Sequence, residues 1–476
     1  MQAGIEEQSA LYQKRIPIFP RSIHGPFRTF KWGVLGLAYA IFFGLVWLPW
    51  PRGEGPHQAI LLDIAARKFY VFGLVVYPQD LIWLSLLLFI AATLLFFVTS
   101  LIGRAFCGYF CFQTVWTDCF TWVERMIQGE RPARIRLYKQ PWHAEKFFKL
   151  GATHFIWLLL AFWTAFTFTA YFTYAPQLFG DFFSGQANPA AYWTTGILTL
   201  STYVAAGLAR EQICTYICPY ARFQSVMYDP ETLTVSYDEK RGEGKLGRAA
   251  LRTDVKTLEA RHAKGFGDCI DCTLCVQVCP AGIDIRNGLQ YACISCGLCI
   301  DACNSIMRSI GFPPGLIRYD AESTLKQGQP PRLHWKRLKV LGYGAALSAM
   351  TGFLAYSVMS RVAFDQAVTQ VRQPLYVLLS SGEIRNRYHI HIDNRTSRDE
   401  IYRLDVRGIP EQAADFGNFR RVMVKGGKSL MVQASVTLPP AQAARTRAFE
   451  FVITPLSRPQ DAHASPARFY FQKGIS

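Results

Sequence analysis

Charge is scarce in this chain. Asp, Glu, Lys and Arg together make up 18% of its residues, against about 25% in soluble domains. Acidic residues are the scarcer half, at 34 against 51 basic. With 50% of residues hydrophobic, this excludes a disordered chain and argues against a single soluble domain. Cysteine is absent before Cys107 and after Cys303, so the thirteen cysteines are not the staples of a small disulfide scaffold. No Gly-rich dinucleotide fingerprint is present, which leaves NAD(P)H and flavin without a recognisable binding motif. The net charge of +17 would suit an anionic partner, but no nucleic-acid-binding motif accompanies it, and nucleic acid is not read as a partner.

What is abundant is uncharged apolar sequence. Five stretches without a charged residue are long enough to cross a bilayer, which takes about 20 apolar residues: 32–50, 81–102, 150–172, 190–209 and 340–359. The fourth is rich in hydroxyls (Thr194, Thr195, Thr199, Ser201, Thr202), which suits a helix packed inside a bundle. The first starts late and has no small-residue cleavage site, so it reads as a retained helix and not a signal peptide. Residues 59–77 are also apolar but carry Asp63, Arg67 and Lys68; an interfacial or re-entrant segment is expected there.

Basic residues in short loops set orientation. The tail 1–31 carries Lys14, Arg15, Arg21, Arg28 and Lys31; the loop 103–146 carries Arg104, Arg125, Arg131, Arg134, Arg136, Lys139 and Lys146; the loop 173–189 carries none. The expected topology is therefore a cytoplasmic tail (1–31), a transmembrane bundle (32–209), a cytoplasmic segment (210–339), a fifth span (340–359) and a periplasmic remainder (360–476). That remainder alternates in short runs, 387–392, 402–406, 429–436, 448–454 and 468–471, separated by Asn, Gly and Pro. The pattern is that of a small antiparallel sandwich, read as a docking or stability module.

The cysteines carry the chemistry. A Cys269-x2-Cys272-x2-Cys275-x3-Cys279-Pro280 run is followed by Cys293-x2-Cys296-x2-Cys299-x3-Cys303. Two such runs are the signature of a two-cluster bacterial ferredoxin, in which the fourth cysteine of each run ligates the other cluster. One [4Fe-4S] cluster is expected on Cys269, Cys272, Cys275 and Cys303, the other on Cys293, Cys296, Cys299 and Cys279, within a core at 262–312. Zinc is the competing occupant of paired CxxC groups. Cys303 precedes Asn304 and lacks the proline that follows Cys279.

Two further pairs, Cys107-x3-Cys111 and Cys214-x3-Cys218, each begin five residues past an expected membrane span. Spacing of i,i+4 predicts both sulfurs of a pair on one helical face, and the matched depths allow four thiols to converge on a soft metal or act as a redox dithiol. The competing reading is small buried residues at helix ends. Cys119 falls off the face of Cys107 and Cys111 and reads as structural. His154, alone among histidines inside an expected span, is either a functional ionisable group or, lacking a second axial partner for haem, a hydrogen-bonded bundle residue. His389 and His391 share one strand face but have no third ligand.

These motifs resemble the cytochrome oxidase accessory family CcoG, also called FixG or RdxA. The resemblance covers nearly the whole chain. It is carried by Leu62-Asp63, Arg67-Lys68-Phe69-Tyr70-Val71-Phe72-Gly73, Cys107-Gly108-Tyr109-Phe110-Cys111, Gln113-Thr114-Val115-Trp116, and Arg210-Glu211-Gln212 before Cys214. Cys218-Pro219-Tyr220-Ala221-Arg222-Phe223-Gln224-Ser225, Cys293-Ile294-Ser295-Cys296-Gly297 and Gly315-Leu316-Ile317-Arg318-Tyr319 complete it. The resemblance implies a multi-domain integral membrane protein of the bacterial inner membrane: a transmembrane helical bundle, an inserted α+β dicluster ferredoxin and a C-terminal all-β immunoglobulin-like domain. It also implies Cu(II) reduction to Cu(I) in the assembly of cbb3-type oxidase, with Cys107, Cys111, Cys214 and Cys218 as the copper-related residues. The expected partners are the bilayer, oxidase subunits or copper assembly factors and a cytoplasmic electron donor, with homodimerisation left open. Quinol-linked electron transfer and a non-catalytic copper chaperone or scaffold are the alternatives. One residue departs from the family pattern: Phe112 follows Cys111 where the family has proline.

Overall fold

The computed structural model describes residues 17–51, 56–77, 80–252, 255–360, 364–396 and 398–471. The chain separates into two compact units, the first running to Leu354 and the second from Ala355.

In the first unit, helix α1 (Pro26–Trp47) opens with Pro26 in its first turn, where a missing N–H costs nothing. A three-stranded antiparallel sheet follows, Ile60–Asp63, Lys68–Val71 and Leu74–Val76. This is the segment expected to be interfacial or re-entrant. Buried Gln58 ties it down, donating to the carbonyls of Ile60 and Ala170 and accepting from the amide of Ala175. The next helices are α2 (Leu81–Ile102), α3 (Ala105–Tyr109), α4 (Phe112–Gln128), α5 (Arg131–Lys139), α6 (Ala144–Ala170), α7 (Ala175–Ser184) and α8 (Pro189–Thr202). Among the described residues four helices are long and apolar enough to cross a membrane: Pro26–Trp47, Ile82–Ile102, Ala144–Ala170 and Leu338–Met359.

One expectation needs correction. Stretch 190–209 is not one α-helix. The α-helical part is the 14 residues of α8, about 21 Å at 1.5 Å per residue, and it continues as π-helical turns over Tyr203–Ala209. Of its hydroxyls, Thr195 and Thr202 are buried and Ser201 is exposed; Thr195 shares a hydrogen bond with Thr169 of α6 at 3.0 Å, while Trp193, Ile197 and Leu200 face outward. The segment 103–146 is itself largely helical. Helix α4 inserts Val115, Trp116, Phe120 and Val123 into a core with Leu35 of α1 and Trp157 and Ala161 of α6. Trp116 Nε1 donates to Thr164 at 2.9 Å and Trp157 Nε1 to the Phe120 carbonyl at 3.0 Å. Asp118 and Glu124 kept this amphipathic helix below any hydropathy threshold, and partners meet both. Asp118 pairs with Arg28 at 2.8 Å, and Glu124 is held by Arg134 and Arg210.

After α9 (Pro219–Met227), the strand Thr234–Tyr237 pairs antiparallel with Ile317–Asp320. Between them lie the short helix Leu274–Gln277 and the helix Leu298–Ser309. Asp301 and the ring of Phe27, which lies 5.5 Å from that of Tyr319, fasten this α+β piece to α1. Asp301 accepts from the Phe27 and Arg28 amides at 3.4 and 2.8 Å, acting as an N-terminal cap supplied from a distant element.

The second unit is a sandwich of two antiparallel sheets. One has the order Ala414–Asp415, Ser429–Leu438, Ile384–Asn394, Phe364–Gln370, with Val377–Leu378 also on Ile384–Asn394; the other runs Arg421–Val424, Glu400–Arg407, Ala448–Pro455, His463–Arg468. Tyr388, Ile390, Leu404, Val432, Phe451 and Ile453 share its core. The expected run 468–471 is displaced: the strand is His463–Arg468, an edge strand that tolerates Pro466.

Candidate functional site

Two cavities in the α+β piece are walled by cysteine. Cys269, Cys272, Cys275 and Cys303 line one with Tyr237, Leu316 and Ile317. Cys279, Cys293, Cys296 and Cys299 line the other, with Cys275 also on its wall beside Val235, Ile285 and Leu298. The fourth cysteine of each run thus lies with the first three of the other. Short left-handed turns make this geometry: Asp271, Thr273 and Ser295 have φ of 52°, 56° and 52°, and Gly297 has φ 72°. A side chain on Gly297 would also strike Phe27 at 2.8 Å.

The donor set fits clusters. Backbone amides near the sulfurs favour their thiolate forms: Ser295 at Cys293, Ala281 and Ile283 at Cys279, Ile317 at Cys303. Amide hydrogen bonds are what sulfur in a cluster accepts. Burial pushes the Cys275 and Cys293 thiols up to about 11 and those of Cys279 and Cys303 up to about 12, with neighbouring cysteines adding to the shift. Metal ligation therefore releases protons here. Among the described residues no three His, Cys, Asp or Glu side chains form a preset metal-binding group.

The membrane-side pairs are not placed on continuous helical faces, which corrects the i,i+4 reading. Each pair straddles a helix break. Cys107 lies in α3 and Cys111 caps α4 with φ −62° and ψ 131°. Cys214 lies in the π-helical turn Ile213–Ile217 and Cys218 caps α9 with φ −72° and ψ 110°. Cys111 and Cys218 are alike in backbone form, and the thiols of the two pairs lie near enough to influence one another's charge. Burial, then Cys111, pushes the Cys107 thiol up to about 12, with Cys214 and Cys218 contributing and Arg104 opposing. Burial, then Cys111 and Cys218, raises Cys214 to about 11.

Phe112 does not disturb this geometry. It takes the first helical position of α4 as Pro219 does in α9, where the N–H has no intrahelical partner, and it stacks on Trp116 at 4.1 Å between centroids. Phe112→Pro is therefore expected to leave the fold intact. Proline's fixed φ suits the site, the lost stack costs about 1 kcal/mol, and thermal unfolding should shift by only a few degrees.

Sequence reasoning missed the residues that join these parts. Cys107 Sγ donates to Gln224 Oε1 at 3.2 Å, and fully buried Gln224 donates to Thr99. Buried Arg104 donates to the carbonyls of Tyr291, Cys293 and Ala221. Tyr109 OH donates to the Cys296 carbonyl at 3.0 Å. Gly108 is the closest junction: a Cβ there would lie 2.8 Å from the Ile294 oxygen and 3.0 Å from Cys296 Cα. Only glycine fits between two backbones so close. Gly108→Val should displace the 294–296 loop and cost about 1–3 kcal/mol or more, read as a lowered unfolding midpoint and an altered EPR signal from one cluster. The Cys107–Cys111 motif was the available signal for Gly108 and Tyr109 and the Cys218–Ser225 motif that for Gln224; Arg104 had none beyond its charge.

Of the remaining candidates, Cys119 is hydrogen-bonded with Tyr39 and is not part of the four-thiol group. His154 Nδ1 pairs with Tyr203 OH at 2.9 Å, the hydrogen-bonded arrangement. His389 and His391 lie on the outward face of Ile384–Asn394.

Residues 209–322 match the model of a 4Fe-4S dicluster domain, and residues 354–472 match the Ig-like fold found at the C-terminus of FixG. The chain is similar to protein RdxB of Cereibacter sphaeroides (42% identity, 92% of this chain and 93% of the relative) and to RdxA of the same organism (44%, 84% and 84%). It is also similar to the nitrogen fixation protein FixG of Rhizobium meliloti (37%, 90% and 88%). A crystal structure of a FixG-related protein from Vibrio parahaemolyticus matches 23% of this chain and 96% of that chain, at 21% identity and a TM-score of 0.20.

Proposed function

The chain belongs to the FixG/RdxA family of ferredoxin-like oxidoreductases, and on that premise we propose that it is a membrane-bound reductase of Cu(II). Cys269, Cys272, Cys275 and Cys303 would hold one [4Fe-4S] cluster and Cys293, Cys296, Cys299 and Cys279 the other. When bound, such clusters supply one-electron transfer. Copper is the substrate, held at Cys107, Cys111, Cys214 and Cys218, whose soft sulfurs favour Cu(I) over Cu(II). Gln224 and Arg104 position this tetrad, the first through its hydrogen bond to Cys107, the second by tying α2 to the loop of Cys293 and to α9.

The observation that carries the reading is the backbone contact at Gly108. It lies inside the first membrane pair and against Ile294–Cys296 of the second cysteine cavity, so donor and acceptor sites share a wall. The test is Cu(I) formation by the reconstituted, pre-reduced protein in the presence of a Cu(I)-specific chelator. No Cu(I) above a cluster-free control would remove the assignment.

Further proposals accompany this one. The first unit's cysteine-rich piece would face the cytoplasm and receive electrons from a donor there. The sandwich would face the periplasm of an inner-membrane protein, meeting cbb3-type oxidase subunits or copper assembly factors. That orientation counts α8 with its π-helical extension as a crossing.

A groove gives the quinol-linked alternative a physical basis. His154, Tyr203, Thr199, Phe155 and Phe162 line an open hollow of about 600 Å³ beside α6 and α8, aromatic with one hydrogen-bonding edge. Reduction of the iron–sulfur signal by a quinol analogue in membranes, lost in His154→Leu, would make quinol the electron donor.

A further inference from the structure

A cavity of about 70 Å³ lies among the start of α1, helix α4 and the residues around Ile294. One water needs about 10–15 Å³, so it has room for several waters or one ion of a few heavy atoms. Basic residues outnumber acidic ones on its otherwise largely apolar wall. Arg28, Lys31, Arg125 and Arg210 line it, Arg21 adds an exposed edge, and Asp118 and Glu211 are the carboxylates among its lining residues.

Arg28 and Lys31 are 6% and 3% exposed. Asp118 is already engaged by both: Arg28 Nη1 donates to its two oxygens at 2.9 and 2.8 Å, and Lys31 Nζ lies at 3.8 Å. Arg210 is bidentate on Glu124, which Arg134 shares. Two guanidinium nitrogens are left buried with no hydrogen-bond partner, Arg28 Nη2 and Arg125 Nε. Burial and the charge of Arg28 both depress the pKa of Arg125, while Asp118, Glu130 and Glu124 act against them. A guanidinium keeps its proton, and a buried N–H of a charged group without an acceptor is costly. An anion in the cavity would supply both the counter-charge and the acceptors.

We infer that this cavity binds a small oxyanion, a carboxylate or a phosphate, between Arg28 and Arg125. Guanidinium forks pair with these two groups better than with other anions. Cys214 and Ile294 share the wall, so the anion lies beside both the thiol tetrad and the second cysteine loop. Its negative charge stabilises the oxidised form of whatever redox group adjoins it.

Equilibrium dialysis of the detergent-solubilised full chain, with its iron–sulfur content intact, against radiolabelled phosphate and separately against radiolabelled oxalate tests this. Saturable uptake of about one anion per chain is expected, and the anion taken identifies the source as phosphate or carboxylate. Arg125→Gln, at a half-buried position, should weaken uptake about tenfold or more. It should also abolish the downward shift of the iron–sulfur midpoint potential that the anion produces in the parent protein. Arg28→Gln should do the same where it folds. Absence of saturable uptake of either anion, or uptake unchanged in Arg125→Gln, overturns the inference.

Discussion

Replacing Cys214 and Cys218 together by serine is expected to lower Cu(I) production roughly a hundredfold or more while iron and acid-labile sulfide stay at the parent level. Serine keeps the size of cysteine but replaces a soft sulfur with a hard oxygen, removing the preference for Cu(I). The two residues lie in the π-helical turn Ile213–Ile217 and at the cap of α9, outside both cysteine-lined cavities of the α+β piece. The substitution should therefore separate copper chemistry from cluster content. Chelator absorbance measures the first and metal analysis the second. An unchanged Cu(I) rate would place copper elsewhere. Loss of iron along with Cu(I) would make the pair structural.

The second large effect concerns the crossed ligand sets. Cys303→Ala and Cys269→Ala are expected to leave the same residual EPR signal and about half the iron, because both residues line one cavity and a four-iron cluster takes four thiolates. Cys279→Ala should instead match Cys293→Ala, its neighbour in the other cavity. Uncrossed ligation would give the opposite pairing, Cys303→Ala with Cys293→Ala. Zinc in place of iron would give no EPR signal in any of them. The contrast is large because each outcome is the presence or absence of a whole cluster.

Much of the architecture was legible in the sequence, for identifiable reasons. The doubled cysteine spacing is constrained tightly enough that the run order alone gives the crossed grouping. Long uncharged stretches mark α1, α2, α6 and the helix Leu338–Met359 because hydropathy is local and additive. Where folding depends on partners, the reading failed. Helix α4 repeats apolar residues at 115, 116, 120 and 123, yet Asp118 and Glu124 hid it, since their neutralising arginines come from α1, α5 and the segment after α8. The end of α8 turns π-helical where Gly207 meets Trp157, a Cβ there lying 3.0 Å from the ring; that contact cannot be read from one segment. The cysteine pairs look like helix faces by spacing but are helix breaks. Pro219 signalled one break, and nothing local signalled its twin at Phe112. The role of Asp301 in capping α1 spans more than 270 residues and has no sequence signature.

In the proposed reaction, electrons held in the dicluster piece pass to copper at Cys107, Cys111, Cys214 and Cys218. The most direct measurement is an anaerobic titration of the fully reduced protein, freed of reductant by gel filtration, with Cu(II) in the presence of a Cu(I) chelator. The account predicts about two Cu(I) per chain, one electron from each four-iron cluster, appearing in step with recovery of the oxidised iron–sulfur absorption and lost in Cys214→Ser/Cys218→Ser. Persistence of the reduced absorption with no Cu(I) formed would contradict it.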